Sequence, residues 1–472
     1  MQTQCTQTSF GFHPLGRRQV VGRFDGGDLS SDGGGLLLRE VEQRTGIVRQ
    51  LAACFVDYRE GQLVEHTVEE LVGQRVFGLA LGYEDLNDHD QLRSDPLWAV
   101  LVGKPDPSGE SRRRTADCGK ALAGKSTLNR LELTPAKATA EDRYKKIVMN
   151  PEAIDRLLVD VFLQAHREAP SEIVLDLDAT DDPLHGNQEG RFFHGYYRAY
   201  CYLPLYIFCG EFLLCARLRP SNLDASAGAL EELERIVGQI RAAWPDVPIV
   251  MRADSGFCRE AILAWCEQHG VGYVIGLAKN RRLRRIVGQA MHQAKQQWNQ
   301  TGQSARVFAS FDYCTRKSWS RQRRVVGKAE VLEKGENPRF VVTSLAEELW
   351  PAQRLYEELY CGRGEMENRI KEQQLHLFAD RTSTAFLRSN QLRLYFSAVA
   401  YLLLQALRRL GLAGTEMARA QCQTMRLKLL KIGAHIRITV RKVWVSWAGG
   451  YPYARLFAQV YAHLQRAPAL RC

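Results

Sequence analysis

A mixed α/β fold is what this sequence predicts, and two observations predict it. From about residue 171 short apolar, β-prone runs alternate with helical periodicities, whereas the first 165 residues carry mainly helical patterns. With 472 residues, 45% hydrophobic and 25% charged, the chain can build roughly two to four domains with real cores and is no disordered polymer.

The chain opens on a glycine-rich, strand-poor segment, FDGGDLSSDGGGLLLREVEQRTG, in which Ser30, Ser31 and Asp32 stand where the following helix needs a cap. LVEHTVEELVGQRVFGLALGY repeats apolar residues at helical spacing through Leu63, Val64, Val68, Leu71, Val72 and Val76, which predicts a packed helix. KPDPSGESRRRTADCGKALAGK is polar, basic and glycine-containing, the signature of an exposed loop, and STLNRLEL restarts a helix.

EIVLDLD then reads as a short strand, YCYLPLYIF and FLLCARLR as a hairpin turning at Cys209, Gly210 and Glu211, and ALEELERIVGQIRAAW as an amphipathic helix. PIVMRAD is a second buried strand ending on Asp254, CREAILAWCEQHG a helix stopped by Gly270, and GYVIGLA a further strand. Strand, hairpin, helix, strand, helix, strand is the order of the ribonuclease H-like fold, with carboxylates ending its first and fourth strands. Residues 281–345 are basic and β-prone (RVFASFDYC, RRVVGKAEVLE, RFVVTSL), which predicts a β-rich insertion. PAQRLYEELYCGRGEMENRIKEQQLHLF is helix-rich and carries Glu367. The run Leu394 to Leu407 is too short to span a bilayer and is interrupted by Ser397 and Gln405, so it predicts a buried helix. A basic stretch, RLKLLKIG, and an alternating strand, HIRITVRKVWVSW, close the chain. The expected division is a mostly helical region at 1–165, a core from 166–280 with 346–412, the insertion at 281–345 and a basic C-terminal region at 413–472.

Lys and Arg number 64 against 53 Asp and Glu, a net charge of +11 that suits a polyanionic partner such as nucleic acid, although a basic enzyme of another kind can carry it. Twelve cysteines are scattered without a Cys-x-x-Cys, several inside apolar runs (Cys201, Cys209, Cys215), and read as reduced thiols of a cytosolic protein. The amino terminus lacks the apolar core of a secretory leader, and the chain has no internal repeat.

Three acidic residues carry the chemistry. Asp178 and Asp254 read as strand-end carboxylates and Glu367 as a helical one. Gathered within about 5 Å, such groups repel by roughly 3 kcal/mol per pair at an effective dielectric near 20, so a fold that collects them needs divalent cations. That points to two-metal phosphoryl transfer, with two Mg2+ or Mn2+ ions held by Asp178, Asp254 and Glu367. Asp176, two residues earlier on the same strand face, is the rival first ligand or a supporting group, and Asp181 and Asp182 read as loop carboxylates. Asp-Ser-Gly after a strand is also a common helix-capping turn, which is the plainer reading of Asp254. Tyr360, Arg363, Glu367 and Lys371 are spaced along one helical face and can meet a phosphate together; a solvated ladder of charges is the plainer alternative.

GKALAGKS, from Gly119 to Ser126, matches the phosphate-binding pattern G-x-x-x-x-G-K-[ST] and supports a second hypothesis, an NTP-hydrolysing DNA-associated protein. That motif needs a buried strand before its first glycine, and SRRRTADC cannot make one. Lys125 and Arg130 are therefore read as part of a DNA-binding region. His185 and His194 flank a loop with no standard zinc spacing and suggest a loop over the active site. Trp298, Tyr313 and Trp319 could stack on unpaired bases, but sheet packing is their commoner fate.

SSDGGGLLLRE, STLNRLE, LDLDATDDPLHG, RADSGF and YCGRGEMENRIKE together resemble the DDE-type transposases of bacterial insertion sequences, most closely the insertion-sequence thirteen-eighty family within the insertion-sequence four group. The family's third segment runs Y-x-x-R-x-x-x-E-x-x-x-x-x-x-K; Gln374 stands here at the lysine, so that role passes, if anywhere, to Lys371. The resemblance implies a cytoplasmic, nucleoid-associated enzyme that binds the terminal inverted repeats of its own element as a homodimer on DNA, cuts the ends and joins them to target DNA. A catalytically inactive DNA-binding relative is the third hypothesis.

Overall fold

The structure, a computed structural model, describes residues 9–467. Residues 1–8 and 468–472, parts of the expected helical N-terminal and basic C-terminal regions, lie outside the described residues. The chain forms two compact units, one from Asn150–Leu402 and the other from the residues up to Met149 with those from Leu403 on.

The unit Asn150–Leu402 is built on a nine-stranded mixed sheet. Its strands are β1 (Ile173–Ala179), β2 (Leu205–Cys209), β3 (Phe212–Arg217), β4 (Ile249–Ala253), β5 (Gly272–Leu277), β6 (Ala305–Tyr313), β7 (Arg323–Leu332) and β8 (Arg339–Thr343), with Gly335–Glu336 pairing on β7. They lie in the order β3-β2-β1-β4-β5-β8-β7-β6. β1, β4 and β5 are parallel, while β2, β3, β8, β7 and β6 pair antiparallel.

Successive residues of a strand face opposite sides of the sheet, and here the two sides have different tasks. Ile173, Leu175 and Leu177 of β1 and Ile249, Met251 and Ala253 of β4 enter the larger core, with Leu233, Ile236 and Ile240 of the helix Ala229–Ala243. Val250 of β4 and Val274 of β5 turn the other way and pack under Leu355, Tyr356 and Leu359. By the same alternation Asp176, Asp178 and Arg252 belong to that second face. A slip of one residue would drive Asp176 and Arg252 into the apolar core while exposing side chains whose burial is worth about 1.5–3 kcal/mol each, so register is strongly specified.

The strand–hairpin–helix–strand–helix–strand series stands as read, with the helices Ala229–Ala243 and Glu260–Gln268 in their places. Residues 281–345 differ. They open with two helices, Arg281–Ile286 and Gly288–Thr301, and their strands do not form a sheet of their own but continue the central one through β5–β8 pairing. Asn280 caps the first helix by accepting the N–H groups of Arg282 and Leu283 at 3.0 Å, a signal hidden by the density of arginine. Tyr313 and Trp319 are buried edge to face with centroids 5.8 Å apart, and Trp298 packs against the cluster around Met291 and Ala294. A small sheet, Asp182–Pro183, Phe192–His194 and Ala199–Tyr202, was not expected; it takes the start of the run YCYLPLYIF, so that the hairpin strand read there begins only at Leu205. Asp182 is buried there, accepting from Thr382 Oγ1 at 3.1 Å, rather than lying in an open loop.

In the other unit the helix Val68–Leu81 carries a capping box between Thr67 and Glu70, and Lys125–Glu132 is helical. The start of the chain is not strand-poor. Phe10–Leu15 and Arg18–Gly22 form a hairpin through Gly16 at φ 62°, and Asp28–Ser30 pairs with Ala434–Ile438, a partner too remote in sequence to be anticipated. HIRITVRKVWVSW is two strands, Ala434–Ile438 and Val443–Trp447, because Thr439 and Lys442 close a turn between them. The motif GKALAGKS follows a 3-10 turn, Thr115–Asp117, and Lys125 Nζ meets Asn87 Oδ1 at 3.1 Å, so the strand a phosphate loop needs is absent there. Leu387–Gly411 is a single helix with a largely buried apolar middle, and among the described residues no helix is long and apolar enough to cross a membrane.

The expected cap at Ser30, Ser31 and Asp32 is not made. Asp32 makes no side-chain cap bond; its carboxylate, 1% exposed, instead accepts from Tyr83 Oη at 2.8 Å, Trp98 Nε1 at 2.9 Å and Lys431 Nζ at 2.7 Å. Replacing Asp32 by Ala orphans three donors at once, so it should destabilise this unit by about 3–5 kcal/mol in denaturant unfolding. A loss under about 1 kcal/mol would show that water replaces the carboxylate without cost.

Candidate active site

Asp178 lies near the C-terminal end of β1 and Asp254 immediately follows the parallel strand β4, so their backbones are fixed side by side by the sheet. The opposite wall comes from a continuous helical segment with uneven winding: π turns at Leu355–Tyr360, a 3-10 turn at Cys361–Arg363, the α-helix Gly364–Lys371 and π turns again at Glu372–His376. π turns are rare and concentrate at functional sites because the extra residue re-aims the face that follows. Here they aim Arg363, Glu367 and Lys371 into the cavity lined by Asp178 and Asp254, of about 610 Å³.

Beneath the cavity lies an ion pair that the sequence reading missed. Arg252 and Asp176 are cross-strand partners in the parallel pairing of β4 with β1, and the guanidinium grips the carboxylate with both arms, Nε–Oδ1 at 2.6 Å and Nη2–Oδ2 at 2.7 Å. Its remaining arm donates to Leu359 O at 2.6 Å. One partly buried cation thus joins all three carboxylate-bearing segments, two residues before Asp178, two before Asp254 and eight before Glu367. Gly362 leaves room for it, since a Cβ there would come within 2.6 Å of Arg252 Nη1. Gly276 of β5 has a like role beside Asp254, where a Cβ would meet Tyr360 Oη at 2.7 Å and Ser255 N at 2.9 Å.

With Asp176 engaged in this way, Asp178 is the β1 carboxylate that faces the cavity. Burial pushes its carboxyl up to about 6; Arg363 opposes that, and the neighbouring charges of Asp254 and Glu367 add to it. Arg363 bridges the carboxylates, with Nη1 3.0 Å from Asp178 Oδ2 and Nη2 3.2 Å from Glu367 Oε1. Asp254 does cap the turn Ser255–Phe257, its Oδ1 accepting from Gly256 N at 2.8 Å, and still lines the cavity. Capping and cavity lining are therefore not exclusive. Gln374 lines the same cavity with its amide nitrogen on Asp181 O at 3.0 Å. His194 and Tyr197 reach it from the small sheet, whereas His185 is exposed and not among its lining. Tyr360 lines an adjoining cavity of about 440 Å³ shared by Asp254 and Arg363. Lys125 and Arg130 belong to the other unit, exposed on the helix Lys125–Glu132.

Among the described residues no three His, Cys, Asp or Glu side chains lie close enough to share a metal ion in this arrangement, in which the Arg363 guanidinium bridges Asp178 and Glu367. The donor set itself, hard carboxylate oxygens that repel one another enough to help raise Asp178, suits a hard divalent cation.

A family model described as Transposase DDE domain group 1 matches residues 12–469. The chain belongs to the DDE transposases. No curated protein matches it. Among solved structures, a chain of the cryo-EM structure of piggyBac transposase synaptic complex with hairpin DNA is similar over 93% of this chain and 83% of that chain, at 10% identity and a TM-score of 0.40, too loose a likeness to carry an argument.

Two outcomes follow for the transposase. Removing one partner of this largely enclosed pair leaves the other charge uncompensated, so Arg252→Met or Asp176→Leu alone should cost about 3 kcal/mol, and the double variant should recover most of that in urea unfolding. Additive losses would show that the two side chains act separately.

The second outcome concerns pH. The Asp178 carboxyl holds its proton more tightly folded than unfolded, so it penalises stability once pH exceeds its ordinary 3.8, and fully above about 6. In metal-free buffer the stability of Asp178→Asn relative to wild type should therefore rise by about 2 kcal/mol between about pH 4 and about pH 7. A pH-independent difference would mean that Arg363 fully compensates the burial.

Proposed function

We propose that this protein is an insertion-sequence transposase of the thirteen-eighty family, within the insertion-sequence four group, that binds the terminal inverted repeats of its own element, cleaves DNA at their ends and transfers the cut strands to target DNA. The observation that carries the reading is the meeting of Asp178, Asp254 and Glu367 in one cavity of a DDE-family chain. The strand and helix order around β1, β4 and β5 supports assigning residues 166–280 and 346–412 to a ribonuclease H-like catalytic core, and repeat recognition to the region up to about residue 165.

DDE transposases work with divalent metals, and Asp178, Asp254 and Glu367 are the residues that would hold two Mg2+ or Mn2+ ions, which when bound activate the attacking oxygen and stabilise the leaving one. The remaining work falls to the chain's own groups. Arg363 and Lys371 give positive charge to a scissile phosphate entering the cavity, and Tyr360 borders the path beside Asp254. For Asp178 to bind a cation, Arg363 must give up at least one of its two carboxylates, and a DNA phosphate is the natural replacement partner for a guanidinium. Lys125 and Arg130 are assigned to DNA contact, the net charge of +11 favours a polyanionic partner on the nucleoid, and a homodimer on DNA would bring two element ends together.

Asp178→Asn, Asp254→Asn and Glu367→Gln should each abolish magnesium-dependent cleavage and joining of labelled element-end DNA while leaving repeat binding largely intact. A fully active Asp254→Asn would remove the two-metal assignment.

A further inference from the structure

The unit that contains the N-terminal helices holds a cavity of its own, of about 430 Å³, whose charged lining is mostly cationic. Arg59, Arg112, Arg113, Arg114, Arg130 and Lys146 all line it, against two carboxylates, Glu65 and Asp117. Both carboxylates are already taken: Glu65 accepts from Arg112 Nη2 at 3.2 Å and from Arg113 N at 3.0 Å, and Asp117 lies 3.5 Å from Arg93. Arg59 is paired with Asp57 at 2.7 Å just beside the cavity. Arg114 and Arg130 are exposed and, among the described residues, neither has a carboxylate partner. The positive field is also felt by a side chain in the wall. Burial and then the charges of Lys104, Arg112, Arg59 and Arg93 press His66 down to about 3, so it stays neutral and accepts from Arg112 Nη1 at 2.9 Å.

The cations do not stop at the cavity. Arg130 and Arg143 lie 4.6 Å and 4.8 Å from the ring centroid of Tyr144, which is 52% exposed at the cavity's edge, so the charged strip runs out over open surface. A free small anion needs convergent donors in one place, whereas a strip of guanidiniums propped on an aromatic ring suits a linear polyanion. We propose that this cavity and strip seat consecutive backbone phosphates of double-stranded DNA, with Arg114 and Arg130 as the unspent contacts. The inference rests on the transposase reading and deepens it by siting a sequence-independent anchor on the other unit from the three carboxylates.

The test is the affinity of the full-length protein for a short random-sequence duplex, read by fluorescence anisotropy at several salt concentrations. Each phosphate contact contributes about 0.9 to the slope of log affinity against log salt, so Arg114→Gln and Arg130→Gln should each make it shallower by about that much, and the double variant by about 1.8. Thermal unfolding should be unchanged in all three. A folded double variant with wild-type slope and affinity overturns the anchor while the transposase reading stands, whereas a wild-type protein that binds no duplex at all overturns both. Saturable binding of ATP or inorganic phosphate that the double variant loses, with duplex binding intact, would make this a small-anion site and overturn the proposal.

Discussion

Arg252 is the constraint on which the site depends. An arginine in the middle of a buried parallel strand must have its charge met and its donors used, because removing an unpaired guanidinium from water costs several kcal/mol. Asp176 meets the charge and Leu359 O takes the remaining arm. What the fold gains from so demanding a group is position. Two strands and one helical segment, distant in sequence, are tied at a single planar group whose geometry tolerates little sliding. Apolar packing of Val250 and Val274 under Leu355 and Leu359 would hold the segment down but would not fix where along the strands it sits.

 

Around that frame the cavity is a balance of charges that nearly cancel. Three carboxylates line it, and burial leaves Asp178 reluctant to ionise. Arg363 answers two of them from the same helical segment that supplies Glu367, so attraction and repulsion are both fixed by the winding of one stretch of chain. Arg252 and Arg363 therefore divide the work. The first is committed to structure below the cavity, and the second faces it, where an incoming phosphate can compete for its donors.

Much of this was legible in the sequence because it is local. The alternation of β1 and β4 put Asp176 and Asp178 on one face, and helical spacing put Arg363, Glu367 and Lys371 on another. Arg252 was legible too, as an arginine inside PIVMRAD, but its partner is a residue 76 positions away, and only strand register reveals the pairing. The segment 281–345 was read by its β-prone runs, yet which sheet they join depends on β8 pairing with β5, a tertiary choice that composition does not encode. The hairpin at Phe10–Leu15 escaped for the opposite reason. Its side chains are exposed, so no buried face imposes an alternation to be read.

The π turns at Leu355–Tyr360 carry a consequence for how this chain can change over generations. A π turn is an α turn with one residue to spare, so losing a single residue there converts it to ordinary helix at little cost to the fold. Because the π turn absorbs that residue locally, the helix beyond it would keep its phase, and Arg363 and Glu367 would still face the cavity. A residue gained here and wound as ordinary α-helix would instead turn every downstream side chain by about 100° about the helix axis, taking the third carboxylate out of the cavity while the sheet, the cores and Arg252 below stay in place. The stretch Leu355–Tyr360 can thus lose a codon without losing the site, but tolerates a gain only where the added residue is again taken up as a π turn.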